Sequence, residues 1–168
     1  MAVDIVPALK QDEPVLERLL ELYSHDLSDL ANLRIGNDGR FGYANLPRYW
    51  IEPERHPYLL KVEGELAGFV FVRKGSEVTA DPDVWDMAEF FVLRRHRRHG
   101  VGLLAAHAAW RAHPGRWEVR VMEHNTPALA FWQRAVDAFV GGRVAPALLD
   151  VPGKGPRHVF RFSTGGTQ

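Results

Sequence analysis

Residues 84–113 read VWDMAEFFVLRRHRRHGVGLLAAHAAWRAH, and this stretch decides the fold. Positions 84–93 are apolar and aromatic enough for a strong, half-buried strand. Positions 101–113 are rich in Ala and Leu and predict a helix, which Pro114-Gly115 ends. Between them lie four arginines and two histidines, then Gly100-Val101-Gly102. A further strand is expected at 117–122. Strand, helix and strand in that order predict a parallel pair joined by a right-handed crossover.

Working outward, 3–9 alternates loosely and reads as a short strand. A helix follows over 12–27, with Asp12 as its cap, Pro14 in its first turn, and Val15, Leu16, Leu19, Leu20, Leu22 and Tyr23 on its apolar face. Positions 25–56 read as loop, with a turn at Asn37-Asp38-Gly39 and a short helix at 46–50. Residues 57–75 form a hairpin that turns at Glu63-Gly64. Toward the other end, 126–139 predicts a helix with Thr126 as cap and Pro127 at its first position. The stretch 143–162 holds two strands joined by the turn PGKGP. The expectation is a single α/β (α+β) domain over 1–162. Its sheet is mixed and mostly antiparallel around a central parallel strand–helix–strand unit, with helices on both faces. Residues 163–168, STGGTQ, read as a flexible tail.

Composition narrows the function classes. The 168 residues carry 21 Lys plus Arg against 21 Asp plus Glu, so the formal net charge is zero. A dedicated nucleic-acid binder shows a basic excess that this chain lacks, so the arginine run is a local feature. Without cysteine there is no disulfide, thiolate metal site or Cys nucleophile. His56, His96, His99, His107 and His113 show no ligand spacing, so no metal is expected. The N-terminus lacks the basic start and apolar run of a signal peptide, and VGLLAAHAAW is too short to span a bilayer. A cytoplasmic protein with neither a nucleic-acid nor a membrane partner is expected.

The loop 94–102 then admits several readings. Gly100 to Ala105 fits the dinucleotide pattern G-x-G-x-x-A, with Glu123 about twenty residues on. That pattern wants the strand to run almost directly into the first glycine, whereas residues 94–99 intervene. The alternative is a phosphate cradle, in which glycines and a helix N-terminus present backbone N–H groups to an anion. The context favours the cradle. Arg97-Arg98-His99-Gly100-Val101-Gly102 fits R-x-x-G-x-G after a strand ending in Val92-Leu93. Downstream, Asn125-Thr126-Pro127-Ala128-Leu129-Ala130-Phe131-Trp132 opens a second helix. The pairing of these two motifs resembles the GNAT superfamily of acetyl-CoA-dependent N-acetyltransferases, in a bacterial branch, and the element order fits over most of the chain.

The resemblance implies acetyl-CoA as cofactor and an amine as acceptor, either a small molecule or a peptide. It implies that CoA pyrophosphate sits on the amides of Arg98, His99, Gly100, Val101, Gly102 and Leu103, with Arg97 and Arg98 nearby. It also implies that the pantetheine arm runs beside Phe91, Val92 and Leu93, with a backbone N–H near Val92 or Leu93 meeting the thioester oxygen. Asn125 would bond the arm, and Ala128 and Phe131 would line its groove. Many members carry a tyrosine after the motif Phe as acid to the leaving thiolate; here that position is Trp132. Homodimers are common in the superfamily.

For the base, residue chemistry points to Glu89, just before the proposed thioester site. Strict alternation puts it on one face with Trp85, Met87 and Phe91, where apolar neighbours raise a carboxyl pKa. Asp86, on the opposite face, is the alternate; a bulge would exchange the faces. The acceptor site is expected from Tyr23, His25, Asp26, Ser28, Tyr43 and Trp50, with Asp26 receiving a cationic amine. Two other functions stay open: a CoA-binding module without catalysis, and a dinucleotide-dependent oxidoreductase.

Overall fold

The protein, here as a computed structural model, is described for residues 1–165. Seven strands form one sheet in the order β1-β2-β3-β4-β5-β7-β6. They are β1 (Val3–Pro7), β2 (Arg55–Val62), β3 (Glu65–Lys74), β4 (Val84–Val92), β5 (Gly115–Met122), β6 (Ala147–Val151) and β7 (Gly155–Thr164). The helices are α1 (Glu13–Leu27), α2 (Val101–Ala112) and α3 (Thr126–Val140), with a 3-10 turn at Leu46–Trp50. Every strand pair is antiparallel except β4 with β5. That parallel pair is the one expected from the strand–helix–strand reading, with α2 as its crossover.

Each sheet face buries its own core. Leu60, Val70, Val72, Met87, Val119 and Phe160 meet α2 and α3 through Ala105, Trp110, Trp132 and Val136. On the other face Leu59, Phe69, Phe71 and Phe91 meet α1 through Leu16, Leu19 and Leu20, and the 3-10 turn through Leu46 and Tyr49. This second core stops at β4. Among the described residues no helix is long and apolar enough to cross a membrane.

Local chemistry departs from expectation at three places. Asp12 does not cap α1; its carboxylate accepts from Leu9 N at 2.8 Å, closing the turn before the helix. Asn125, not Thr126, caps α3, accepting from Ala128 N. Ser163 and Thr164 extend β7 instead of fraying, because Thr164 is buried and its Oγ1 accepts from Gly115 N at 3.1 Å. The rest of the expected tail, residues 166–168, lies outside the described residues. The hairpin turn at Glu63-Gly64 holds, with φ of 49° and 78° at its two central positions, as a tight hairpin turn requires.

A histidine cluster sits where α2 hands over to β5. His113 is buried, its Nε2 2.6 Å from the Tyr58 hydroxyl, with ring centroids 4.5 Å from Trp85 and 4.7 Å from His56. Burial, and then the His56 charge, press its pKa down to about 4. The folded state therefore disfavours the charged ring. In the unfolded chain His113 protonates near its ordinary value of about 6.5. Its contribution to stability is thus complete above that value and is lost as pH falls from there to about 4. Urea midpoints between pH 7 and pH 4.5 should fall more steeply for wild type than for His113→Gln; equal slopes would refute this role for His113.

Candidate active site

The strands β4 and β5 part company early. Their pairing covers only Val84, Trp85 and Asp86 of β4. Beyond Asp86, the edge of β4 that faces β5 has no strand partner, and a wedge opens between them. On its other edge β4 stays paired to β3 through Val92. Leu93 N donates to Ala67 O at 2.8 Å. Alternation along an antiparallel ladder then turns the N–H of Phe91 toward β3 and those of Phe90 and Val92 toward the open wedge.

A β-bulge lies at the mouth of the wedge. Phe71 pairs with Glu89 and Val72 with Met87, leaving Ala88 without a partner. This corrects the strict alternation. Trp85 and Met87 join the α2/α3 core, whereas Phe91 joins the α1 core, and Glu89 goes with Phe91. Asp86 shares the Glu89 side, because its carboxylate binds Arg120, which points away from the Val119 and Val121 face. That ion pair is bidentate, at 2.9 and 2.8 Å, and Asp86 is 0% exposed. Asp86 is therefore a buried counter-ion committed to Arg120, and its ion pair opposes the uptake of a substrate proton.

Glu89 is held differently. Tyr23 Oη donates to Oε2 at 2.5 Å and Tyr43 Oη to Oε1 at 3.3 Å. The Phe91 ring lies 5.7 Å from that of Tyr23. Burial raises the Glu89 pKa above the usual carboxylate value; the Tyr23 hydrogen bond, Lys154, Arg120 and Tyr43 oppose the rise. Burial and the Glu89 charge push both tyrosines upward, so each remains a donor. The result is an oriented carboxylate of raised proton affinity at the wedge.

The loop from Arg94 to Leu103 leads from β4 into α2. Arg98 has φ 65° and Gly100 φ 77°, so both lie in the left-handed region. Gly100 stands at the α2 N-cap, and no side chain caps the helix. The first amides of α2, at Val101, Gly102 and Leu103, therefore lack intrahelical acceptors. Gly102 also has a packing role. A Cβ there would lie 2.8 Å from the Phe131 ring, so this glycine lets α2 pack against α3. Arg97 turns inward, its Nε donating to Val92 O at 2.6 Å and its Nη2 to Asp26 at 2.5 Å. Arg98 and His99 are exposed on the loop.

The expected acceptor residues divide. Tyr23 and Tyr43 converge on Glu89. Asp26 instead pairs with Arg94 and Arg97, which hold its carboxyl below the usual range. Ser28 Oγ donates to His25 O, and His25 points outward. Trp50 packs on the α1 core, with its indole N–H buried and unbonded. Asn125 spends its carbonyl on the α3 cap, Ala128 packs against the α2/α3 core, and Phe131 stacks obliquely 5.8 Å from Phe90. Trp132 is buried, 4.9 Å from the Phe90 ring. Arg120 escaped sequence reasoning; its signal is an arginine at mid-strand in WEVRVM, which demands a buried partner. Among the described residues no three metal-ligating side chains gather.

A seven-stranded sheet that splits beside a bulge, next to an uncapped helix N-terminus, defines an acetyltransferase fold. Residues 16–137 match the acetyltransferase (GNAT) family, and the chain belongs to that family, whose acetyl donor is acetyl-CoA. Solved structures share the fold. An acetyltransferase from Thermus thermophilus superposes with TM-score 0.70 at 18% identity, covering 97% of each chain. The aminoglycoside acetyltransferase AAC(6')-Ib, in complex with coenzyme A and kanamycin, gives 0.68 at 16%, covering 96% of this chain and 95% of that one. The PaiA N-acetyltransferase from Thermoplasma acidophilum, in complex with coenzyme A, gives 0.63 at 9%, covering 97% and 99%. No curated protein matches the chain by sequence.

Proposed function

We propose that this protein transfers the acetyl group of acetyl-CoA to an amine by direct attack, with Glu89 as general base. The carrying observation is Glu89 itself: a half-buried carboxylate of raised proton affinity, oriented by two tyrosine hydroxyls where the sheet splits. The donor fits the residues present. The uncapped amides of Val101, Gly102 and Leu103, with Arg98 and Gly100 in left-handed conformations before them, suit the diphosphate. The open edge of β4 at Phe90 and Val92 suits the amides of the pantetheine arm. When bound, acetyl-CoA supplies an acyl group activated as a thioester.

The chain supplies the rest. Glu89 takes a proton from the incoming ammonium, directly or through one water, so that the amine lone pair is free. The Val92 N–H, turned into the wedge, donates to the acyl oxygen as charge grows there. Arg97 holds Val92 O, in the peptide that follows this donor, so Arg97 braces the strand end as a positioning residue rather than as a phosphate ligand. The amine forms the C–N bond as the C–S bond breaks, and the second proton, which the nitrogen sheds on becoming an amide, passes to solvent or to the departed sulfur. Trp132 is buried and offers no acid; the Tyr23 hydroxyl is committed to Glu89, and His124 is 86% exposed on its side chain. The thiolate therefore leaves without a side-chain acid, which a thiol of ordinary acidity allows.

Tyr23→Phe tests the tuning of the base. The Tyr23 hydrogen bond holds the Glu89 pKa down, so its loss should raise it. The acid limb of the kcat/KM profile should move to higher pH, with acetyl-CoA affinity kept within about twofold. Tyr43→Phe, which removes the longer bond, should move it less. An unmoved limb in both variants would separate these tyrosines from the base.

A further inference from the structure

We propose that the acceptor amine carries an anionic group, a carboxylate or a phosphate, which Lys154 and Arg157 hold while the amine faces Glu89. The proposal rests on Glu89 marking the acceptor end of the wedge. Arg120 pairs with Val159 and Met122 with Arg157, so Arg120 and Arg157 are diagonal neighbours on one face of β5 and β7. That is the face of Asp86 and Glu89, and the α1 core does not extend over it. Lys154 lies in the β6–β7 turn at the end of the same surface, and its charge acts on both Glu77 and Glu89.

The charges on this surface are unequally matched. Arg120 is neutralised by Asp86, Arg73 by Glu77, and Arg161 reaches Glu118 at 3.5 Å. Among the described residues Lys154 and Arg157 have no carboxylate within ion-pair distance. Arg157 Nη1 donates only to the carbonyls of Lys154 and Pro156. Burial and the nearby Arg120 charge disfavour its charged form. A protein with balanced total charge thus leaves two cations without a carboxylate on this surface, Arg157 beside Arg120 and Lys154 acting on the candidate base. Once Glu89 takes up a proton, the carboxylate that still acts on Lys154 is Glu77, which Arg73 already pairs. An acceptor bearing both ammonium and anion supplies the missing partner: its ammonium meets Glu89, and its anion meets Lys154 and Arg157.

The other cleft near the base argues against a polycationic acceptor. It has a volume of about 330 Å³ and is lined by Glu13, Glu17 and Glu21 with Tyr43. Glu21 already accepts from the amides of Phe41 and Gly42, and Glu13 pairs with Lys10. Arg18 and Arg40 line the same cleft. Its acidic charge is mostly spent within the protein.

The test compares matched amines by release of CoA thiol. One series is glycine, β-alanine, 4-aminobutyrate and 5-aminopentanoate against the alkylamines that lack the carboxylate. A second pair is O-phosphoethanolamine against ethanolamine, and 1,4-diaminobutane serves as the dication. At least one anion-bearing amine should exceed its neutral partner in kcat/KM by about tenfold or more. The carboxylate series and the phosphate pair tell the two anions apart. In Lys154→Gln/Arg157→Gln the ratio should fall to within about twofold of unity. Equal rates for matched partners, preference for the diamine, or a ratio that survives the double substitution would overturn the proposal. If no amine at all releases thiol, the transferase reading fails separately. Calorimetry on the acetyl-CoA complex then decides the anion site. Binding of the same anion-bearing amines that weakens in the double variant supports it, and no binding refutes it.

Discussion

Glu89→Gln is expected to lower kcat by about 10²- to 10⁴-fold, the usual contribution of a positioned general base. Acetyl-CoA affinity should stay within about twofold of wild type, because Glu89 touches Tyr23 and Tyr43 rather than the cradle at the start of α2. The substitution keeps the shape of the side chain and its ability to accept from a tyrosine. It removes the group that titrates, so the acid limb of the pH–rate profile should vanish along with the rate. The counterpart at Asp86 should behave otherwise. Asp86→Asn strips Arg120 of its bidentate partner in a buried place, so the damage belongs to stability. A Glu89→Gln enzyme with wild-type kcat and an intact acid limb would place the base elsewhere.

Gly68→Ala carries the second large effect. Gly68 pairs with Val92 across β3 and β4. A Cβ there would lie 1.9 Å from Phe91 O, 2.9 Å from the Phe91 carbonyl carbon and 3.2 Å from Val92 Cα. All three are backbone atoms of the segment that borders the wedge, so no rotamer change relieves the clash. The φ of 153° adds strain for any L side chain. Pushing β4 away should cost about 3 kcal/mol. It should also shift the Val92 peptide, so acetyl transfer should fall beyond what the loss of folded protein explains. Gly142→Ala is the control, since nothing lies within 4 Å of that position and its φ is ordinary. Urea midpoints and kcat measured on both variants check this; a Gly68→Ala protein as stable as the control would contradict the close approach.

Much of this architecture was legible in the sequence because its signals are local. The stretch 84–113 carries strand, glycine turn and helix in fixed order, and the structure keeps that order and the parallel pair. The hairpin turn at Gly64 and the end of α3 at Gly141 follow from glycines, which tolerate left-handed backbone. What escaped depends on pairing between distant segments. Ala88 looks like any strand residue, yet bulging it moves Glu89 from the company of Met87 to that of Tyr23. Asp26 looked available to an amine until the chain brought Arg94 and Arg97 onto it. Gly102 fitted a phosphate motif, while its lack of a Cβ serves the Phe131 ring. In each case composition names the residue, and only tertiary contact names its partner.

The central claim is that a carboxylate at the split between β4 and β5 serves acetyl transfer to an amine. The most direct measurement is the release of CoA thiol and the formation of acetylated amine, followed together at saturating acetyl-CoA over a panel of primary amines. Equal amounts of thiol and acetylated amine, produced only when both substrates are present and lost in Glu89→Gln, are the expected result. Tight binding of acetyl-CoA with no thiol released by any amine would contradict it and leave a protein that binds the cofactor without catalysis.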